Sequence, residues 1–268
     1  MSQPCLGPHM TLAPRMAIVA MATLAVSMPL RRALGQPAAS PGERLIQQMH
    51  DRYAGRWFRT LTFQQSTTVT RNDSTVVTTW YESVRAPDRL RIDVGDPQLG
   101  NGMLYTADSS IVLRGGRVVR ALPEGNPFLP FVVGVYTQPV ATTLAQLRPW
   151  QFDLSKAHDD MFDGARVVVV GAERGDTIHP QFWVSRDRLL LVRMIVPLGA
   201  DTYDIALRKY AEFAGSWVAM RIEMASGQMK QSEDYTNVRV NPDLSSNLFD
   251  PSSWTTARHW HAPGSGPR

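Results

Sequence analysis

Cysteine is nearly absent from these 268 residues: the single one is Cys5. That excludes a disulfide framework and a Cys-ligated metal centre. Cys5 lies ahead of the first apolar run, so it does not stand where a lipoprotein signal needs its cysteine. Lysine is scarce as well, and no dense Lys/Arg block accompanies the formal charge of +4. With no basic stripe and no recognition motif, the charge does not point to nucleic acid. An arginine-rich wet surface, attracted at most to anionic headgroups, is the better reading. Also missing are GxSxG, a Walker-type loop, HExxH and a GxGxxG between strand and helix. Those absences remove the motif-bearing hydrolases, P-loop enzymes, zincins and dinucleotide enzymes, and no cofactor is expected.

Long apolar runs are rare too. The one that stands out is Met16–Leu30, MAIVAMATLAVSMPL, preceded by Arg15 and followed by Arg31-Arg32 and Ala33-Leu34-Gly35. A basic start, a short apolar centre and small residues before a cleavage point make a secretory signal. We therefore expect residues 1–35 to be a signal peptide cleaved near Gly35 and Gln36, with Met1 or Met10 as the start. The run falls short of the roughly 20 residues that cross a bilayer, which makes an anchored helix the rival reading. Residues 36–268 are material for one large domain. Export into a periplasm, without a lipid anchor, is the expected destination.

The mature part opens with a helix. Ser40-Pro41-Gly42-Glu43 supplies a cap, an early proline and an early acid, and Leu45, Ile46, Met49 and Tyr53 follow at helical spacing. From Trp57 the period becomes two. Leu61 to Val69 and Thr75 to Arg85 flank Asn72-Asp73, which reads as a hairpin. Short strands follow through Ala121, with Pro87-Asp88 and Gly115-Gly116 as turns. The stretch from Pro123 to Trp150 is apolar and proline-punctuated, and predicts one or two short helices, the clearer over 139–147. Strands then recur from Arg166 to Val238, separated by tight turns. The fold class is mainly β (α+β): a curved antiparallel sheet, with the few helices as its cover. Asn241 to Pro251 reads as a loop anchored by Leu244, Leu248 and Phe249, and residues beyond Trp260 as a tail.

Chemistry-bearing clusters are few. Asp159, Asp160 and Asp163 surround Met161-Phe162 in what reads as a loop, and paired carboxylates can serve a hydrolase. His158 with Asp159 and Asp160, and the pair His259 and His261, could touch a metal, but the ligands are too few and lack telling spacing. A solvated loop is the plainer reading, and no metal is assigned.

The sheet faces carry more information. Leu90, Ile92 and Val94 alternate with Arg89, Arg91 and Asp93. Leu190, Val192 and Met194 form a second apolar row, and Val218, Met220, Ile222 and Met224 a third. Arg193, Arg221 and Glu223 fall on the opposite, wet face. A face so apolar is either a filled core or the wall of a cavity under a loose cover, and the methionines would make that wall adaptable.

At this point the residues resemble a family, the LolA/LolB-type periplasmic lipoprotein-sorting carriers. The likeness runs from the helix ending in Tyr53-Ala54 and the strand with Phe63-Gln64-Gln65 to Tyr81 through Ile92. It continues with Pro127-Phe128-Leu129, Arg186 to Met194, Tyr235 to Val238, Asn241-Pro242 and Leu248-Phe249. It implies an open antiparallel half-barrel with helices as a lid and a cavity for acyl chains. It also implies an arginine before a proline that ties the lid shut. Arg85 is the match, with Ala86 between it and Pro87.

The function expected is an exported, non-enzymatic carrier of lipid or lipoprotein acyl chains. The cavity is expected from Leu90, Ile92, Val94, Leu190, Val192, Met194, Val218, Met220, Ile222 and Met224, and the latch on Pro123–Leu147 from Arg85. An inner-membrane release complex and an outer-membrane acceptor are the implied partners, and the carrier is expected to be a monomer. Two alternatives stay open: a sensor of the same fold regulating a membrane partner, and a hydrolase built on Asp159, Asp160 and Asp163.

Overall fold

The computed structural model describes residues 38–261. The signal sequence expected at 1–35 and the last seven residues lie outside them. Helix α1 (Pro41–Tyr53) starts on a reciprocal cap: Ser40 Oγ accepts from the Glu43 N–H at 3.3 Å, and Glu43 Oε2 accepts from the Ser40 N–H at 2.7 Å. Leu45, Ile46, Met49 and Tyr53 are buried along its inner face.

Thirteen antiparallel strands form one sheet. In chain order they are β1 (Thr60–Arg71), β2 (Ser74–Arg85), β3 (Arg89–Val94), β4 (Gly102–Tyr105), β5 (Ser110–Arg114), β6 (Arg117–Leu122), β7 (Ala157–Phe162), β8 (Ala165–Val170), β9 (Gln181–Ser185), β10 (Leu191–Leu198), β11 (Asp201–Phe213), β12 (Ser216–Ser226) and β13 (Met229–Val240). Their order across the sheet is 6-5-4-3-2-1-13-12-11-10-9-8-7. Both halves are meanders, and β1 meets β13 in the middle, with Leu61 opposite Val240 and Arg71 opposite Met229. The sheet is not closed, since β6 and β7 stand at its two edges. Yet Leu90 and Ile92 of β3 share one core with Val168 and Val170 of β8. Strands that far apart in the order reach one core because the sheet curls around it.

That core is completed by the helices. α1 enters the curl closely: its Gly42 N–H donates to Leu154 O at 2.9 Å, and a Cβ on Gly42 would come within 2.8 Å of the Val170 side chain. Between β6 and β7 the chain makes a π-helical stretch (Pro130–Gly134), a short turn α2 (Val135–Thr137) and α3 (Val140–Leu147). Pro130 and Pro139 punctuate the starts of these pieces. Gly134 has no Cβ, which lets Gln138 fold back; a Cβ there would meet Gln138 Nε2 at 2.7 Å. Gln138 Nε2 then donates to Thr143 Oγ1 and Gln146 Oε1, fastening the two pieces.

Two expectations are corrected at the level of the fold. Ala157–Phe162 is edge strand β7, not a loop; its half-exposed alternation carries His158, Asp159 and Asp160, which hid the strand pattern. The outer face of β3 is not wet. Arg91 and Asp93 are buried beneath the C-terminal segment, where Leu248, Phe249 and Trp254 pack with Leu104 and Leu113 in a second, smaller core. The Arg91 fork pairs with both Asp93 oxygens at 2.7 Å and donates to Leu248 O and Trp254 O. Elsewhere the outer face is laced by Arg193–Asp204, Arg221–Asp234 and Arg208–Glu223 pairs.

Candidate functional site: an apolar cavity with two buried acids

Between the curled sheet and the helical cover lies a cavity of about 150 Å³. The sheet supplies Leu61 and Phe63 from β1, Val84 from β2, Leu207 from β11 and Trp217 and Ala219 from β12. Trp57 and Phe58 close one side, and Phe128, Leu129, Phe131, Val132, Val133 and Tyr136 come from the cover. No Lys, Arg or His is among the lining residues.

Of the ten residues grouped by alternation, Leu90, Ile92, Leu190, Val218, Ile222 and Met224 line this cavity. Val94 is half-buried against the core without reaching the lining. Met194 is wholly buried in packed core. Val192 sits at a bulge, where the β9–β10 register slips between Leu191 and Arg193, so Leu190 and Leu191 are both buried and Val192 leaves the row. Met220 lies between the Arg208–Arg221 and Tyr210–Ala219 pairs, beside Lys209 with its φ of +53°. Past it Trp217, Val218 and Ala219 all reach the lining, so the strict alternation of Ile222 and Met224 is lost there.

The cover is fastened from α1 and the residues after it. Trp57 Nε1–H donates to Val132 O at 3.1 Å, and His50 Nδ1 lies 2.9 Å from Val135 O, so that nitrogen carries the donated proton. Tyr136 donates to Leu189 O at 3.0 Å, and its ring centroid is 4.0 Å from that of Trp57. Arg85 is elsewhere. Its fork donates to Leu244 O, Ser245 O and Ser246 O at 3.3, 2.9 and 3.5 Å, and it lies over the Phe249 ring. In this structure Arg85 therefore clasps the C-terminal loop and not the 123–147 cover. The signal for the true fasteners was present in Trp57 and His50, each an aromatic with one N–H at an apolar boundary.

Among the lining residues outside the group read from alternation are two acids, Glu82 on β2 and Glu233 on β13, 5% and 6% exposed. Glu82 shares its strand face with Trp80 and Val84, which also line the cavity, so the alternation places it inward. Glu233 Oε1 accepts from Gln231 Nε2 at 2.7 Å and Oε2 from the Tyr235 hydroxyl at 3.2 Å. Burial pushes the Glu233 carboxyl up to about 7, against the pull of these donors. Glu82 is raised well above the carboxylate range, by burial first and then by the Glu233 charge. Tyr105 and Tyr235 are raised in turn by burial and by these two acids.

The other clusters hold no comparable geometry. Asp159 pairs with Arg186, Asp160 with Arg174 at 3.4 Å, and Asp163 with Arg208. His259 Nε2 is 3.0 Å from Asp93, and the His261 ring stacks on Tyr81. Among the described residues no three His, Cys, Asp or Glu side chains gather as a metal requires.

An open antiparallel sheet curled over short helices, with an apolar cavity between them, defines a half-barrel binding fold. No protein-family model matches the chain, and no curated protein matches its sequence. Solved structures share the fold. A DUF1329 family protein from Desulfovibrio piger is 14% identical, with a TM-score of 0.56, over 80% of this chain and 99% of that one. A domain described as outer membrane lipoprotein-sorting, from Vibrio parahaemolyticus, is 13% identical, with a TM-score of 0.54, over 80% and 98%. A LolA superfamily protein from Nitrosomonas europaea is 11% identical, with a TM-score of 0.47, over 76% and 96%. The fold is the one shared by the DUF1329 protein and the lipoprotein-sorting domain, an open antiparallel sheet with a few short helices, as the resemblance in sequence implied. No helix among the described residues is long and apolar enough to cross a membrane.

Proposed function

We propose that the protein is an exported binding protein that takes the acyl chain of a lipid or lipoprotein into this cavity and carries it across a periplasm toward the outer membrane, without covalent chemistry. The observation that carries the reading is the lining: aromatic and aliphatic side chains from sheet and cover, closed by helical pieces that only a few backbone contacts fasten. The leader-like 1–35 segment and the likeness to a lipoprotein-sorting domain fit the same reading. A cavity of about 150 Å³ matches one that holds a benzene ring, so a long chain must push the cover aside. Burying eight methylenes returns about 6 kcal/mol before the costs of association. That is enough to offset the release of a few hydrogen bonds, each worth about 1 kcal/mol.

The test is twofold. Lipid extracted from protein purified without detergent should contain acyl chains, and Ile222→Trp, which fills the cavity, should lose both that lipid and the binding of a neutral apolar dye. Dye and lipid bound equally by the wild type and a folded Ile222→Trp variant would refute the cavity as the site.

A further inference from the structure

Glu82 and Glu233 stand in an apolar cavity with no cation among its lining residues. Glu82 is the more exceptional. It is 95% buried, lines the cavity, and its carboxylate has neither a hydrogen bond nor an ion pair among the described residues. Glu233 accepts from Gln231 and Tyr235, with the Gln65 side chain also reaching it, which still leaves an acceptor position unused. The groups facing the pair supply no positive charge: Gln65 and Thr67 from β1, Tyr105 from β4, Tyr210 from β11, and Gln231 and Tyr235 from β13. Gln65 Nε2 donates to Thr67 Oγ1 and also reaches Glu233, while Gln65 Oε1 is buried without a partner. A wall built only to hold hydrocarbon has no use for this set. Two uncompensated acids cost stability, and each acceptor left unpaired adds to that cost.

We propose that the cavity selects an amphiphile whose polar end is a protonated amine, the ammonium seated against Glu82 and Glu233 and the tail along the apolar lining. An ammonium offers three donors and one positive charge, which meets the free acceptors of both acids at once. In an enclosed apolar site that attraction is far stronger than in water. A fatty-acid carboxylate at the same place would face the negative charge the pair carries once Glu233 ionises and would be rejected; an alcohol would be neutral toward the pair. Below about pH 7 Glu233 holds a proton, so amine binding strengthens as pH rises through that value while alcohol binding stays level. The inference rests on the proposed reading that the cavity takes an apolar chain, and names the headgroup class that reading leaves open.

The experiment displaces a neutral dye, Nile red, from the full exported chain with decylamine, decanol and decanoate, each below its micelle concentration. At pH 7.5 decylamine should bind at least about tenfold more tightly than decanol, and decanoate more weakly than decanol. The amine preference should shrink between about pH 8 and pH 5. Glu82→Gln and Glu233→Gln keep the side-chain shape and remove the charge, and should bring decylamine and decanol within about threefold of each other. Should a variant fail to fold by circular dichroism, the wild-type order and its pH profile decide alone. Decanol binding as tightly as decylamine overturns the headgroup inference and leaves the cavity reading standing. Failure of the dye and all three ligands to bind overturns the cavity reading and the inference with it.

Discussion

The buried acids give the fold a stability profile opposite to that of most proteins. A carboxylate usually gains a partner on folding, so its proton is easier to lose in the native state. Glu233 is the reverse: burial raises it from 4.5 to about 7. Between those values the folded chain holds a proton that the unfolded chain has released, so stability falls as pH rises. The stabilisation is complete below about pH 4.5 and gone above about pH 7. At about 1.4 kcal/mol per pH unit, the displacement of Glu233 amounts to about 3 kcal/mol. Glu82 adds a loss of the same sign. His261, lowered by burial and by neighbouring His259, works the other way, its contribution rising as pH climbs toward its ordinary value of 6.5 and level above it. Urea unfolding followed by tryptophan fluorescence at pH 5, 6, 7 and 8 measures the balance. The wild type should lose about 3 kcal/mol or more across this range, and Glu82→Gln with Glu233→Gln together should flatten the profile. A wild type whose stability is level or rises from pH 5 to 8, or a double variant that keeps the full slope, would refute the buried pair as described.

Three substitutions separate the two covers of the sheet. Trp57→Phe keeps an aromatic ring against Tyr136 but removes the donor to Val132 O; it should cost about 1 kcal/mol and speed dye entry in stopped-flow mixing. Arg85→Leu should loosen the C-terminal loop, seen as faster proteolysis within 244–260 and a loss of about 1–2 kcal/mol, while dye affinity stays at the wild-type value. Arg91→Met leaves the buried Asp93 carboxylate with His259 alone, and should cost about 3 kcal/mol in urea unfolding, the largest loss of the three.

Much of this architecture is legible in the residue pattern, for physical reasons that also mark where the pattern stops. Asn72 and Asp73 both take positive φ, 47° and 63°, as a two-residue hairpin demands, so β1 and β2 can be read from their alternation around that turn. The capping box at Ser40 and Glu43 fixes the start of α1 in the same direct way. Alternation fails where the backbone departs from a regular pleat. The bulge at Val192 and the positive φ at Lys209 each interrupt the alternation of the inward face, and no feature of the local composition announces either. It also fails where a second layer covers the outside. Arg91 and Asp93 look like solvent-facing charges because each neighbours apolar residues on the other face. Trp254, 163 residues from Arg91, is what buries them, and its ring stacks on Arg91 at 3.8 Å. Glu82 was readable, since its parity places it inward between Trp80 and Val84. A charged residue in that register is itself the signal of a site.

The two covers differ in how they are held, and that difference bears on what each can do. The outer one is pinned by a buried Arg91–Asp93 pair and by three carbonyls around Arg85. Charge-assisted bonds in a dry setting are strong and geometrically exacting, so this segment behaves as part of the wall. The inner cover hangs on single donors from Trp57, His50 and Tyr136, and its π-helical and three-residue pieces are too short to persist as isolated helices. Apolar contact with the sheet holds it down, and an apolar chain entering the cavity replaces that contact with its own. On the proposed reading, the segment that moves to admit a ligand is thus the one whose stabilisation the ligand can substitute. The arginine clamps sit on the other face, where they keep β2 and β3, and with them Glu82 and Ile92, in place while it moves.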